Sequence, residues 1–226
     1  MKNYSLLIAP LIFSGALSCL SKNAPFEASD SQESDWEELA GCSLGSGATG
    51  KFGVEFAAST GEWEVVRDSS APNDEQVFAQ VAQNEKSVFN VTFADNLNAK
   101  DGCISVHLRA VSGVIDQGGG VVWRAYDENN YYVARFNPLE DNYRVYYIKD
   151  GERVTLASAT VSLEPTAWHS LRVVMRGEHI ECYLNGTKYL DVHDSTFQEP
   201  GKVGLWTKAD AQTNFARFNL IETFGL

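Results

Sequence analysis

Residues 118–148 read GGGVVWRAYDENNYYVARFNPLEDNYRVYYI. Three short runs rich in β-branched and aromatic residues are separated by turn-forming Asn, Asp, Gly and Pro, which predicts three adjacent β-strands. Successive side chains of a strand point to opposite faces, so each run can be sorted into two sets. Val121, Trp123 and Ala125 share one side, and Val122, Arg124 and Tyr126 the other. In the second run Tyr132, Ala134 and Phe136 form the core-like set, opposite Tyr131, Val133, Arg135 and Asn137. In the third, Tyr143, Val145 and Tyr147 face inward, with Arg144 and Tyr146 outward. If the three strands are neighbours in a concave sheet, Arg124, Arg135, Asn137, Arg144 and Tyr146 line one groove.

The same pattern extends along the chain. From Gly61, thirteen short alternating runs follow one another, ending with Asn214–Ile221, and many are divided by Asn-Asn, Asn-Pro, Asp-Gly, Asn-Gly or Pro-Gly. Strands in this number without a helical period predict an all-β sandwich or barrel. Leu184-Asn185-Gly186-Thr187 is the clearest hairpin, because both central residues of a type I′ turn need positive φ.

Composition narrows the partners. The 226 residues carry 18 Lys+Arg against 30 Asp+Glu, a net charge of −12. Nucleic acid is excluded as a partner, since its affinity rests on cations neutralising phosphates. Anionic lipid headgroups are disfavoured for the same reason. Neutral sugars, cations and small metabolites stay open.

At the N terminus Lys2 precedes an apolar run from Leu6 to Phe13 and then small residues. The run is too short to span a bilayer, so residues 1–18 read as an export signal peptide. Ala16-Leu17-Ser18-Cys19 resembles a bacterial lipobox, which makes Cys19 a lipid-attachment residue and gives the membrane a role only through this anchor. The expected location is the periplasm or outer surface of a bacterium. Residues 19–50, rich in Ser, Asp, Glu and Gly, form a tether and entry loop, and 51–226 form the sandwich. Of the remaining Cys42, Cys103 and Cys182, at most one internal pair can form, and buried thiols are the alternative.

Two levels of resemblance follow. Trp168-His169, Leu171-Arg172-Val173 and Cys182-Tyr183-Leu184-Asn185-Gly186 are similar to segments of laminin-G-like and concanavalin A-like jelly rolls, and this resemblance implies an all-β, concanavalin A-like jelly-roll β-sandwich of two antiparallel sheets. Trp63–Asp68, Val121–Arg124, Asn130–Arg135, Asn137–Glu140 and Gly201–Asp210 together resemble the bacterial 3-keto-disaccharide hydrolase domain family. Where that family closes with an Asp-rich Phe-Asp-Asp strand, this chain has Phe215-Ala216-Arg217-Phe218.

The resemblance implies a carbohydrate ligand and hydrolysis of 3-keto-glycosides or related sugars; the alternative is a non-catalytic glycan-binding surface lipoprotein. A laminin-G-type scaffold without sugar specificity is a third reading. A standard glycosidase needs two carboxylates across the scissile bond, and no E-x-D-x-x-E string is present; Glu62-Trp63-Glu64 is the nearest approach. A 3-keto sugar relaxes that need. The ketone acidifies the adjacent C–H bond, so one base and one donor to the enolate oxygen suffice. Arg124 and Arg135 are the donor candidates and Asp127 the first base candidate, with Glu140, Asp141 and His107 as others. Asn137, Arg144 and Tyr146 would bind sugar, as would Trp206, Lys208 and Asp210 if GKVGLWTKAD ends a strand at the groove rim. The competing reading pairs the arginines with Asp127, Glu140 or Asp141 as surface ion pairs. Trp63 and Trp168 are expected in the core.

No cofactor is implied with certainty. A divalent cation is possible, with Asp127, Asn129 and Asn137 as oxygen ligands. Phosphate loops, dinucleotide fingerprints, EF-hand strings and nucleophile elbows are all missing from the sequence.

Overall fold

The computed structural model describes residues 54–72 and 75–222. The export signal 1–18, Cys19, the tether to residue 50 and Cys42 lie outside the described residues. The described chain is built from strands β1 Phe56–Ala58, β2 Trp63–Arg67, β3 Gln76–Gln80, β4 Phe89–Ala99 and β5 Gly102–Ser112. The next five are β6 Gly119–Asp127, β7 Asn130–Asn137, β8 Asn142–Lys149, β9 Glu152–Thr160 and β10 His169–Arg176. The last four are β11 His179–Leu184, β12 Thr187–His193, β13 Gly201–Lys208 and β14 Gln212–Glu222. They form two seven-stranded sheets, ordered β1-β4-β13-β6-β7-β8-β9 and β12-β11-β10-β5-β14-β3-β2. Neighbouring strands pair antiparallel throughout, as in β6–β7–β8–β9 and β5–β10–β11. Of the sandwich and barrel that the alternation leaves open, the protein is the sandwich, with the jelly-roll form that the resemblance implies. Among the described residues, no helix is long and apolar enough to cross a membrane.

The interior forms where the two sheets face each other. Trp123, Tyr132, Phe136, Tyr143 and Val145 from the first sheet meet Ile104, Val106, Leu108, Leu171, Val173 and Met175 from the second. Each such side chain contributes about 1.5–3 kcal/mol through removal of apolar area from water. The first sheet is apolar on its other face too, where Val91, Val122, Tyr131, Val133, Tyr146, Ile148 and Trp206 make a separate buried cluster. This outer face carries the candidate site. Trp63 packs against the inter-sheet core; Trp168 instead lies beside β10 and donates its indole N–H to Ser70 Oγ at 3.1 Å.

The faces of β7 and β8 follow the alternation, but β6 departs from it. Val122 and Ala125 both join the outer-face cluster although their spacing is odd. Between them Arg124 adopts φ 47°, and the β6–β7 register shifts between Trp123 and Asp127. A bulge of this kind re-aims the residue it contains. Ala125 therefore lies on the outer face, not in the expected core.

Local turns follow their sequences. Asn185 and Gly186 have φ 45° and 81°, as a type I′ turn requires, and they join the paired Leu184 and Thr187. His169 holds the adjoining loops: its Nε2 meets the Glu164 carbonyl at 2.7 Å and its Nδ1 the Asn185 amide at 3.0 Å. Cys182 belongs to the inter-sheet core, whereas Cys103 is buried on the opposite face of the same sheet with Val174. The two cannot bridge one another. Burial pushes the Cys182 thiol far up, which makes it chemically inert.

Candidate functional site

The two arginines of the central hairpin occupy different ends of the first sheet. The bulge turns Arg124 away from the outer face. Its Nε donates to the Lys100 carbonyl at 2.7 Å and its Nη1 to the Phe197 carbonyl at 2.9 Å. Its Nη2 reaches the Gly177 carbonyl at 2.7 Å and Asp101 Oδ1 at 3.1 Å. One fully buried guanidinium thus ties together the β4–β5 turn, the β10–β11 turn and the loop after β12. The expected role of Arg124 as a groove donor does not fit this placement, since its three nitrogens are committed to three carbonyls and Asp101.

Asp127 lies at the same end. Its Oδ1 accepts from the Asn129 amide at 2.8 Å and from Asn130 Nδ2 at 3.0 Å, forming the β6–β7 turn. Asn137 is at the far end of β7, roughly 23 Å away by the rise of a strand. Asp127, Asn129 and Asn137 therefore do not converge on a cation, and Asp127 is not placed as a base beside Arg135.

Arg135 centres the polar cluster at the other end. Its Nη2 lies 3.0 Å from Asp116 Oδ1 and 3.4 Å from Glu140 Oε2, so one nitrogen bridges two carboxylates. Its Nη1 donates to the Tyr146 hydroxyl at 3.4 Å, and its guanidinium lies 5.9 Å from the centre of the Trp206 ring. Asn137 Nδ2 donates to Asp116 Oδ1 at 3.1 Å, while its Oδ1 accepts from the Leu139 and Glu140 amides. Arg144 meets Glu140 Oε2 at 3.5 Å and Ser158 Oγ at 3.0 Å. Lys208 Nζ is 3.6 Å from Asp116 Oδ2. Arg135, Asn137, Arg144, Tyr146, Trp206 and Lys208 are thus gathered in one place.

Asp210 serves this cluster indirectly. Its carboxylate accepts from the Val114, Ile115 and Asp116 amides at 2.8–3.1 Å, which fixes the β5–β6 loop and with it Asp116. The loop then runs into Gly119 and Gly120. At Gly120 a Cβ would sit 1.7 Å from the Ala134 carbonyl oxygen, so only glycine lets β6 lie this close to β7. Aromatic surface frames the cluster: Trp206 donates to the Tyr131 hydroxyl at 3.1 Å. Arg153 covers the Tyr146 ring at 4.8 Å and the Phe89 ring at 5.9 Å.

Two carboxylates here have opposite electrostatic fates. Burial pushes the Asp116 pKa up, against the pull of Arg135 and Lys208. The Asn142 hydrogen bond, aided by Arg135 and Arg144, holds Glu140 below its ordinary value. Burial also lowers Lys208 despite the nearby Asp116. Asp116 and Arg135 are each 2% exposed, yet Asp116 Oδ2 and Arg135 Nε have no hydrogen-bond partner. Buried polar atoms are normally satisfied, and leaving one unmade costs roughly 1–3 kcal/mol. Perturbed acid pairs of this kind occur both at acid–base sites and in structural ion networks.

Residues 57–220 match the model of a 3-keto-alpha-glucoside-1,2-lyase-like domain. The chain belongs to this family. It is thereby a member of a carbohydrate-related domain family, as the sequence resemblance implies. No curated protein matches the chain. Among solved structures, the carbohydrate-binding module CBM66 from Bacillus subtilis is 17% identical with a TM-score of 0.60, over 73% of this chain and 92% of that one. A functionally unknown protein from Saccharomyces cerevisiae is 13% identical with a TM-score of 0.51, over 74% and 98% of the two chains. A galectin-like protein of unknown function from Bacillus subtilis is 11% identical with a TM-score of 0.51, over 73% and 87%. At these identities the likeness establishes the shared fold.

Sequence reasoning misses Asp116, Arg153 and Phe89. Asp116 stands in the aperiodic stretch GVIDQGGG, where alternation has nothing to say. The available signal is an acid just before a glycine run that opens a strand. Glu140, a base candidate from sequence, is in the cluster. Asp141 has its backbone in the turn, where its carbonyl accepts from the Val161 amide. His107 lies in the second sheet, facing Ser170 and Ala216 across the ladder. Glu62 and Glu64 flank and occupy β2 at that sheet's far edge.

Proposed function

We propose that this chain cleaves 3-keto-glycosides by elimination at the Asp116–Arg135–Lys208 cluster. The observation that carries the reading is the buried Asp116 carboxylate, held between Arg135, 3.0 Å from Oδ1, and Lys208, 3.6 Å from Oδ2. A carboxylate whose pKa is raised toward the working range is a better-matched base than an ordinary one. In the proposed step Asp116 removes the proton from C2, next to the C3 ketone. The C–H electron pair forms the enolate, whose oxygen faces Arg135, a permanent cation. Collapse of the enolate makes the C1=C2 bond and breaks the C1–O bond. The departing oxygen takes a proton from Lys208, which burial makes a readier acid. Transfer from Asp116 back to Lys208 across 3.6 Å resets both groups. Water adding to the enone completes net hydrolysis. Glu140 stays ionised and orients Arg135 and Arg144.

The test is sugar release from 3-keto-disaccharides and their unoxidised parents, by wild type and Asp116→Asn. Release from the keto substrates alone, lost in the variant, supports the reading. Sugar binding without release by the wild type would replace it with the glycan-binding module.

Export and lipid anchoring belong to the same proposal, supported by Lys2, the apolar run to Phe13 and the lipobox-like Ala16–Cys19. Incorporation of a labelled fatty acid in the producing cell, abolished by Cys19→Ser, is the expected result. Unlabelled protein would remove the anchor from the account.

A further inference from the structure

The outer face of the second sheet carries a cluster that the sugar chemistry leaves unused. β11 and β12 form its terminal hairpin. Their register sets His179 opposite His193 and Glu181 opposite Asp191, so His179 and Asp191 are diagonal neighbours. Ile180, Cys182 and Leu190 point into the core from the same strands. The ligand-type atoms of His179, Asp191 and His193 lie within 4.8 Å of one another. His179 Nε2 meets Asp191 Oδ1 at 2.8 Å, and the two imidazoles stack with centres 4.5 Å apart, 7° from parallel.

We propose that His179, Asp191 and His193 bind a zinc-class transition metal ion that staples edge strand β12 to β11. Two imidazoles and one carboxylate are the donor set preferred by zinc and its first-row neighbours, rather than by magnesium or calcium. Tetrahedral zinc needs donors roughly 3.3 Å apart, given bonds of about 2.0–2.1 Å. Side-chain rotation of the half-buried His179 and the exposed Asp191 and His193 closes the remaining distance. The ion takes the place of the proton now shared by His179 and Asp191, and water supplies the fourth ligand. The carboxylate is already oriented for this role. Lys188 Nζ holds Asp191 Oδ2 at 2.7 Å and Glu181 Oε1 at 2.8 Å, leaving Oδ1 to face the histidines. Such partners behind a ligand commonly set its orientation and affinity. Arg176, across the ladder from His179, is the nearby opposing charge; Asp191 and Glu181 offset it.

The site is independent of the Asp116 cluster, which lies on the other sheet. Its test is calorimetric titration of the full, chelator-stripped chain with zinc sulfate, and separately with magnesium chloride. One zinc per chain and no magnesium binding are expected. His179→Ala and His193→Ala should each weaken zinc binding at least 100-fold, and Lys188→Gln about 10-fold, the usual effect of losing an orienting partner. At zinc concentrations about 100 times Kd, the wild type should melt roughly 5–10 °C higher, with no shift in His179→Ala. Metal-free melting of both variants, matching metal-free wild type, shows that they fold. Absence of zinc binding, undiminished binding in either histidine variant, or equal binding of magnesium would overturn the proposal.

Discussion

Arg124 and Arg135 stand on neighbouring strands of one sheet, and both are buried, yet they do opposite things. Arg124 places Nε, Nη1 and Nη2 on three carbonyls and Asp101. Arg135 leaves Nε unmatched and shares Nη2 between two acids, one of which keeps an oxygen without a hydrogen bond. A saturated buried charge is a joint between loops. An unsaturated one stores electrostatic free energy that a ligand can release, and burial alone does not separate the two cases.

The largest expected effect tests the unsaturated end. Asp116→Asn should reduce turnover of a 3-keto-disaccharide by about 10²–10⁴-fold, the usual range for loss of a positioned base. Its thermal midpoint should hold or rise, because a desolvated carboxylate is removed. Arg124→Ala should do the reverse. Leaving three carbonyls and Asp101 without their shared donor should cost about 3–5 kcal/mol in denaturant unfolding, while the folded fraction keeps its turnover. If Arg124→Ala instead abolished turnover at unchanged stability, the contrast between the arginines would collapse.

A pH series sharpens the same contrast. The folded pKa of Asp116 lies above its ordinary 3.8, so the native state holds this proton more tightly than the unfolded chain. Stability relative to Asp116→Asn should therefore fall as pH rises from about 3.8 through the raised value. Turnover should climb over that same upper range. Asp68 has the opposite sign. Desolvation would raise it, but hydrogen bonds from Ser70, Asn214 and Arg109 prevail and hold it far below 3.8. Its stabilisation is complete above pH 3.8 and is lost as pH falls below that value. Acid unfolding of Asp68→Asn should accordingly be shallower than that of wild type. The smallest effect is local: Asn185→Ala should cost about 1 kcal/mol by thermal melting, since alanine is strained at φ 45°.

What was legible in the sequence follows the range of each interaction. The faces of β7 and β8 depend only on alternation, so Tyr132, Phe136 and Arg135 fall where the pattern places them. The Asn185-Gly186 turn is equally local. Arg124 is different, because its bulge is held by Lys100, Gly177 and Phe197, which are distant in sequence. No local rule signals such a bulge, and this one moved both Ala125 and the expected donor. Asp116 is set by Asp210 from beyond β13, so its place in the site is invisible until the sheets are assembled. Lys208 and Trp206 were legible through family resemblance more than through pattern.

The position of β14 has a consequence for how the chain reaches this state. Strands β6 to β9 pair in chain order, so that meander closes through short loops and can form early. β14 instead inserts between β5 and β3, joining Glu222 to Gly102 and Thr213 to Gln80. Until residue 222 is available, β5 and β3 each present an open edge, and the β2–β3 hairpin has no link to the rest of its sheet. Open edges of this kind are templates for pairing with another copy, and docking of β14 covers both at once.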